Sequence, residues 1–128
     1  MRLVPLLTLA LLAAPAFAQA PSAEGRWQAV EAGGLLLEPA DGVVLDFAKG
    51  QLTGSTGCNR FFGAYALMPG MALGEIGMTR MGCSGRANLI EAAVTSALAQ
   101  VNDWRLAGDG ALELLHDDQI VLRALPRP

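Results

Sequence analysis

The residues best suited to chemistry in this chain of 128 residues are its two cysteines, each within a short block of glycine and polar residues. Cys58 lies in Gly-Ser-Thr-Gly-Cys-Asn-Arg-Phe-Phe-Gly-Ala-Tyr, residues 54–65, and Cys83 lies in Thr-Arg-Met-Gly-Cys-Ser, residues 79–84. Three uses of the pair are open: a structural disulfide, two buried free thiols, or a redox or metal-binding role. The spacing is not Cys-x-x-Cys, the usual motif of thiol–disulfide exchange. Two cysteines and the lone, distant His116 also fall short of a four-ligand zinc site.

Polar side chains beside the cysteines form a candidate binding loop. Its predicted members come from both blocks: Asn59, Arg60, Tyr65, Thr79 and Arg80. If a disulfide joins the blocks, Arg60 and Arg80 lie near each other and form a basic spot for a carboxylate or phosphate. In the alternative interpretation both arginines are solvated and pair with Glu75 or Glu91.

The first block also has a purely structural interpretation. Its glycines permit positive φ or a close backbone approach, and Asn59 can stabilise a turn through local hydrogen bonds. Such a turn would direct Cys58 toward Cys83 and bury Phe61 or Phe62.

No catalytic motif accompanies these residues. His116 is followed by Asp117 and Asp118, but adjacent residues in a tight turn seldom orient one another as a base and its carboxylate. The chain lacks Gly-x-Ser-x-Gly and the lysine of a phosphate-binding loop. We therefore expect a protein without enzymatic activity, cofactor or metal, and we keep a small envelope thiol-redox enzyme as an alternative.

Together the two blocks resemble the signature of the META domain, the HslJ-like family of small secreted or surface stress proteins. Met81-Gly82-Cys83 fits because the family usually has a Met and a small residue before this Cys. The resemblance spans about Trp27 to Leu125 and implies a small β-rich fold with one helix packed against the sheets. It also implies roles in heat shock, antibiotic tolerance or virulence. Some META domains are similar in fold to a bacterial pilotin that binds lipid in a hydrophobic cavity.

The N-terminus has the pattern of a secretory signal peptide. A basic start, Met1-Arg2, precedes an apolar stretch over residues 3–14 and the small-residue pattern Pro15-Ala16-Phe17-Ala18, with a predicted cut after Ala18. The stretch is shorter than the roughly 20 residues of a membrane anchor, which is the alternative. No Cys follows the cut for lipid attachment, so we expect a periplasmic or secreted protein. In such an oxidising compartment an even number of cysteines favours a disulfide.

The charge of the mature chain argues against polyanionic partners. Removal of residues 1–18 leaves 110 residues, the size of one domain. Eight basic residues then stand against twelve acidic ones, a net charge of −4. This balance disfavours nucleic acid, and the lack of a basic run disfavours anionic lipid surfaces. No second long apolar segment occurs, so we expect a mature chain that does not span a membrane, and a monomer.

The sequence pattern predicts many short strands and one helix. Strands are expected over residues 26–31, 43–47, 51–54, 62–67, 71–76, 103–107, 111–115 and 119–125. Residues 86–101 contain no Gly or Pro, and Ile90, Val94, Ala97, Leu98 and Val101 share one helical face. Ser84 and Asn88 are the candidate N-caps. The predicted fold class is α+β: a small antiparallel, β-rich META-type fold, a curved sheet or partial barrel, with one main helix after Cys83. Its predicted bounds are residues 26–125, behind a flexible leader over 19–25.

Apolar residues outside the periodic elements suggest a binding groove. They are Leu35, Leu36, Leu37, Met68, Met71, Met78 and Met81. Methionines line adaptable surfaces, so such a groove would take a lipid tail or an extended peptide; the alternative is that these residues complete the core. We therefore predict an exported, non-catalytic envelope stress or antibiotic-tolerance module. Its partner would be an unknown envelope protein or a hydrophobic ligand, and a pilotin-like lipid- or peptide-binding module is the alternative.

Overall fold

The computed structural model describes residues 1–14 and 21–128. Residues 1–14 form no helix or strand and are exposed. The predicted cut after Ala18 lies outside the described residues. In the described ranges, no helix is long and apolar enough to cross a membrane.

Ten strands and one α-helix make up the part of the chain that the structure describes. The strands are β1 Gly25–Ala32, β2 Leu35–Leu36, β3 Val43–Ala48, β4 Gln51–Thr56, β5 Arg60–Ala66, β6 Ala72–Leu73, β7 Gly77–Met78, β8 Asp103–Leu106, β9 Leu112–His116 and β10 Gln119–Pro126. A 3-10 turn covers Pro39–Asp41, and the helix α1 covers Arg86–Gln100. The predicted α+β class with one main helix after Cys83 is confirmed.

The strands form one antiparallel sheet that curls into a nearly closed barrel. Its order is β6-β5-β4-β3-β1-β10-β9-β8, with β2 paired to β1 and β7 paired to β5. The two ends meet where the Met71 N–H donates to the Asn102 carbonyl over 3.2 Å. Alternation puts Val43, Leu45 and Phe47 of β3 inside, as the period of two predicts.

Helix α1 packs its apolar face against the interior of this sheet. Ile90, Val94, Ala97 and Leu98 are buried, as the predicted face requires. The predicted N-caps are wrong: Gly85 occupies the cap with φ 59°, and no side chain caps the helix. Glycine adopts the positive φ of position 85 without strain, so the helix begins after Gly85 and not after Ser84 or Asn88.

The segment predicted as a leader lies against the barrel where it is described. Ala23 is 0% exposed, and its carbonyl accepts a hydrogen bond from the Trp27 indole over 2.8 Å. The Tyr65 hydroxyl donates to Glu24 over 3.1 Å.

Local pairing departs from the predicted strands at three places. The strand predicted over 71–76 is reduced to the two residues of β6, and β7 follows just outside the predicted range. Strand β2 and the 3-10 turn were not predicted, because their apolar and turn residues carry no periodicity. A bulge between Ile120 and Leu122 turns Ile120 outward, although alternation places it with buried Leu122 and Ala124.

One exposed ion pair fixes the start of helix α1. Arg86 donates to both carboxylate oxygens of Asp41, over 3.0 and 2.8 Å, and to the Leu36 carbonyl over 3.0 Å. The Asp41 carboxylate also accepts the Glu38 N–H over 2.8 Å. These bonds, led by the one from Arg86, hold the pKa of Asp41 at about 2, below its usual 3.8.

This pair predicts an acid-dependent stability. A carboxyl with a lowered folded-state pKa stabilises the fold above about pH 4, and that contribution is lost as pH falls through about 2. In urea unfolding, Asp41→Asn should therefore lower stability at about pH 5, and its difference from the wild type should shrink toward about pH 2. The control Asp118→Asn removes an exposed carboxylate outside this pair. A difference for Asp41→Asn that stays constant with pH would contradict the assignment.

Candidate functional site

The two cysteine blocks meet beside the start of helix α1. A disulfide joins Cys58 and Cys83, whose Cα atoms are 6.2 Å apart, within the usual range for disulfides. The predicted disulfide is therefore confirmed. The cysteines are 25 positions apart, and closing a loop of that length stabilises the fold by about 3.5 kcal/mol on the chain-entropy model.

Asn59 connects the blocks a second time, through its side-chain amide. Its Oδ1 accepts the Met81 N–H over 2.6 Å and the Thr79 hydroxyl over 3.1 Å. Its Nδ2 donates to Glu91 Oε1 over 2.8 Å and to the Met81 carbonyl over 3.2 Å. The residue is 3% exposed. Both the oxygen and the nitrogen of the amide are therefore hydrogen-bonded within the protein, so the Asn59 side chain has a structural role.

Thr56 extends this network from strand β4 to helix α1. Its hydroxyl donates to the same Glu91 oxygen over 2.9 Å and accepts the Asn59 N–H over 2.9 Å. Thr56 is buried, and Glu91 is half-buried. The turn between β4 and β5, the segment after β7 and the helix are thus held at one point.

Position 57 of this turn requires glycine for a steric reason. Its φ is +86°, and a Cβ atom there would collide with the Asp41 carbonyl oxygen. Any other residue would strain the backbone and push the turn away from the 3-10 turn.

The remaining members of the predicted binding loop do not share one surface. Tyr65 lies on the inner face of β5, packs edge-on against Phe47 with ring centroids 5.1 Å apart, and is buried. Burial raises the pKa of its hydroxyl. Arg60, at the other end of β5, points to the outer face and is exposed. The structure therefore brings Asn59 and Thr79 together and separates Tyr65 from Arg60.

The two arginines of the blocks also diverge. The Thr79 N–H donates to the Arg60 carbonyl over 3.0 Å, so their backbones pair. Arg80 nevertheless borders a cavity beside the helix, whereas Arg60 lies on the outer sheet. Within the described ranges neither forms a salt bridge with Glu75 or Glu91.

An apolar cavity of about 380 Å³ lies between helix α1 and the segment from β6 to β7. Its walls are the outer flank of the helix on one side and the edge of the barrel on the other. The lining residues are Leu73, Gly74, Glu75, Ile76, Met78, Thr95, Leu98, Ala99 and Val101.

A polar cavity of about 470 Å³ adjoins the first one. Both share Ile76 and Met78, and the second adds Asn59, Thr79, Arg80, Met81, Gly82 and Glu91. We call the two together the helix groove. It is apolar near the end of helix α1 and polar near the disulfide.

The predicted groove of Leu and Met residues is only partly the one observed. Met78 and Met81 line the helix groove. Leu37 and Met71 are buried in the core, and Leu36 and Met68 are exposed elsewhere. The apolar walls come instead from Leu73, Ile76, Leu98 and Val101. Ile76 lies in the weakly patterned segment, and the helical residues were predicted only as core.

The sole histidine lies outside the groove. The ring of His116 contacts the Gln100 carbonyl through Nδ1 at 2.6 Å and Asp117 through Nε2 at 3.4 Å. In the residues that the structure describes, no three His, Cys, Asp or Glu side chains are grouped to hold a metal.

Comparison with known proteins identifies the family. The family model of the META domain matches residues 20–127, so the chain belongs to the META domain family, as its two cysteine blocks predict. No curated protein matches the sequence. An NMR structure of a protein from Burkholderia xenovorans is similar, with a TM-score of 0.64 and 22% identity over 88% of this chain and 95% of that one. At this identity the likeness shows the fold alone.

Glu91 is the member of the site that sequence reasoning missed. It was considered only as a helix-capping residue or a partner of an arginine. Its position next to Ile90 on the flank of the buried helix face is a signal for a half-buried carboxylate that requires hydrogen-bond donors.

The network predicts a large effect at Asn59. Asn59→Ala leaves the Met81 N–H without its acceptor and removes one of the two donors to Glu91 Oε1, and should lower the free energy of unfolding by about 3 kcal/mol. The neighbouring Arg60→Ala is the control, because its exposed guanidinium takes no part in the network. Urea unfolding of both oxidised proteins measures the difference. Equal, small effects would show that the network does not hold the blocks together.

Proposed function

We propose that this META-domain protein is an exported, non-catalytic binding module that holds the acyl chain of an amphiphile in the helix groove. The observation that carries the proposal is an apolar cavity that adjoins a polar one and shares Ile76 and Met78 with it. An amphiphile has the same division, with a hydrocarbon chain and a polar headgroup. The apolar cavity alone has a volume typical of small-molecule sites, which begin at about 300 Å³.

The apolar half suits a hydrocarbon better than a peptide. Its only hydroxyl, that of Thr95, already donates within the helix to the Glu91 carbonyl over 2.8 Å. Glu75 lies exposed at the rim. A peptide would leave buried amide groups unpaired there, at a cost of about 1–3 kcal/mol each, whereas an acyl chain requires no partner.

The polar half offers contacts for a headgroup. Arg80 is exposed and, among the described residues, has no salt-bridge partner. The Arg80 guanidinium can bind an anionic headgroup. Glu91 and Asn59 are hydrogen-bonded within the network and therefore form the rigid floor of the polar half.

The disulfide and the hydrogen bonds of this network also support a protein without catalytic activity. Both thiols are joined in the disulfide, and the polar groups of Asn59, Thr56 and Glu91 bond one another. The two thiols, the Asn59 amide and Glu91 Oε1 are thus engaged in holding the fold. The link to envelope stress rests on the family resemblance, and export rests on the N-terminal pattern.

A side chain that fills the apolar half of the helix groove should prevent binding of the acyl chain. Ala99 is exposed on helix α1 and lines the apolar half, so the ring of Ala99→Phe would occupy it without disturbing the core. We expect Ala99→Phe to weaken binding of a fluorescent fatty acid by at least about tenfold, equivalent to about 1.4 kcal/mol. The matched control is Ala92→Phe, on the same helix, exposed and outside the groove.

Fluorescence titration of the oxidised wild type and both variants measures this effect. Thermal unfolding of each variant confirms that the helix is retained. Loss of binding in both variants, or in neither, would contradict the proposed site. Tighter binding of an apolar peptide than of the fatty acid would show that the groove is a site for a peptide and not for an acyl chain.

The proposal of export has a separate test. Protein extracted from cells without reductant should have the mass of residues 19–128 less two hydrogens, and iodoacetamide should add nothing before reduction. The cleaved, oxidised form is expected because an oxidising compartment preserves disulfides. A mass that retains residues 1–18 would reject export by cleavage, and two alkylated thiols would revive the redox alternative.

A further inference from the structure

A second candidate site lies on the outer face of the barrel, away from the helix groove. Cross-strand register places Arg26, Asp46 and Thr53 in one row across β1, β3 and β4. The next row continues through Ser55 to Arg60 on β5. Polar side chains of four adjacent strands therefore project from the same surface.

A pocket of about 300 Å³ opens on this face. It is lined by backbone and side chains of β3 and β4, together with one arginine from β5 and one from the end of the chain: Val44, Leu45, Asp46, Thr53, Gly54, Ser55, Arg60 and Arg127. We call it the arginine pocket.

Arg127 is held in place and is incompletely bonded. Its N–H donates to the Arg26 carbonyl over 3.0 Å, which fixes the backbone next to β1. Its guanidinium Nε is buried without a hydrogen-bond partner. A buried, charged donor without an acceptor is costly. The Arg127 guanidinium also has no salt-bridge partner among the described residues, and an anion in the pocket would supply one.

The charges of this face do not neutralise one another. Among the described residues, Arg26, Arg60 and Arg127 form no salt bridge. Among the described residues that line the pocket, Asp46 is the only carboxylate, and Arg60 and Arg127 are the two cations. The lining therefore has one net positive charge, on a protein whose net charge is −3. The local field therefore attracts anions although the whole molecule repels them.

We propose that the arginine pocket binds a phosphate group, with the guanidinium groups of Arg60 and Arg127 as its charged ligands. The Thr53 and Ser55 hydroxyls lie on the same wall. The Ser55 oxygen accepts the Gly57 N–H over 3.0 Å, so its own hydrogen is free for a ligand. Two guanidinium forks and two hydroxyls suit an anion with several oxygens better than a carboxylate with two.

Isothermal titration with inorganic phosphate, at constant ionic strength, tests the site on the oxidised protein. Arg127→Gln and Arg60→Gln should each weaken binding about tenfold, because each removes a charge-assisted contact. Asp46→Asn should tighten it about threefold by removing repulsion. A gain of affinity is a result that simple damage to the fold would not produce. Lys49→Gln removes an exposed cation outside both the helix groove and the arginine pocket, so this control should leave phosphate binding unchanged.

Acetate and glycerol 3-phosphate complete the experiment. Acetate should bind more weakly than phosphate, and equal binding would overturn the assignment. Tighter binding of glycerol 3-phosphate would assign the site to a phosphorylated headgroup, and tighter binding of inorganic phosphate to the free ion. No saturable binding, or no effect of Arg127→Gln, would also overturn the proposal. None of these results depends on whether the helix groove binds an acyl chain.

Discussion

The buried amide of Asn59 is the contact on which the arrangement of this domain depends. It bonds the segment after β7 through Met81 and Thr79, and helix α1 through Glu91. The disulfide lies one residue away and joins the same parts covalently. Because that segment and the helix are the two walls of the helix groove, the side chain that completes the fold also sets the groove's polar end.

Several residues of the two cysteine blocks serve the fold rather than the surfaces proposed to bind. Gly57, Asn59 and Tyr65 face inward, where a carbonyl, an amide network and an aromatic ring fix them. The apolar half of the helix groove is lined by residues outside the two blocks, whereas Arg80 and Arg60 of the blocks line the polar half and the arginine pocket. A conspicuous motif in a small β-rich domain can therefore contain residues that specify the fold beside residues that are free to contact a ligand.

The sequence predicted the elements with strong periodicity and missed the contacts between distant ones. Helix α1, β3 and the disulfide followed from apolar spacing, alternation and cysteine number. The bulge at Ile120 and the cap at Gly85 depend on backbone pairing and φ, which alternation and cap preferences do not encode. The prediction of a single binding loop was wrong because β5 places Arg60 and Tyr65 on opposite faces of the sheet. Arg127 carries no local signal, since only the pairing of β1 with β10 brings it near β3.

The most direct test of the central claim is an amide chemical-shift titration of the oxidised, isotope-labelled protein with a medium-chain fatty acid. We expect saturable shifts confined to residues 73–82 and to residues 91–101, which are the part of helix α1 after Ile90 and its C-cap Val101. The signals of β8 to β10 should stay in place. Shifts centred elsewhere on the barrel, or no saturable shifts at all, would contradict the assignment of the helix groove as the binding site.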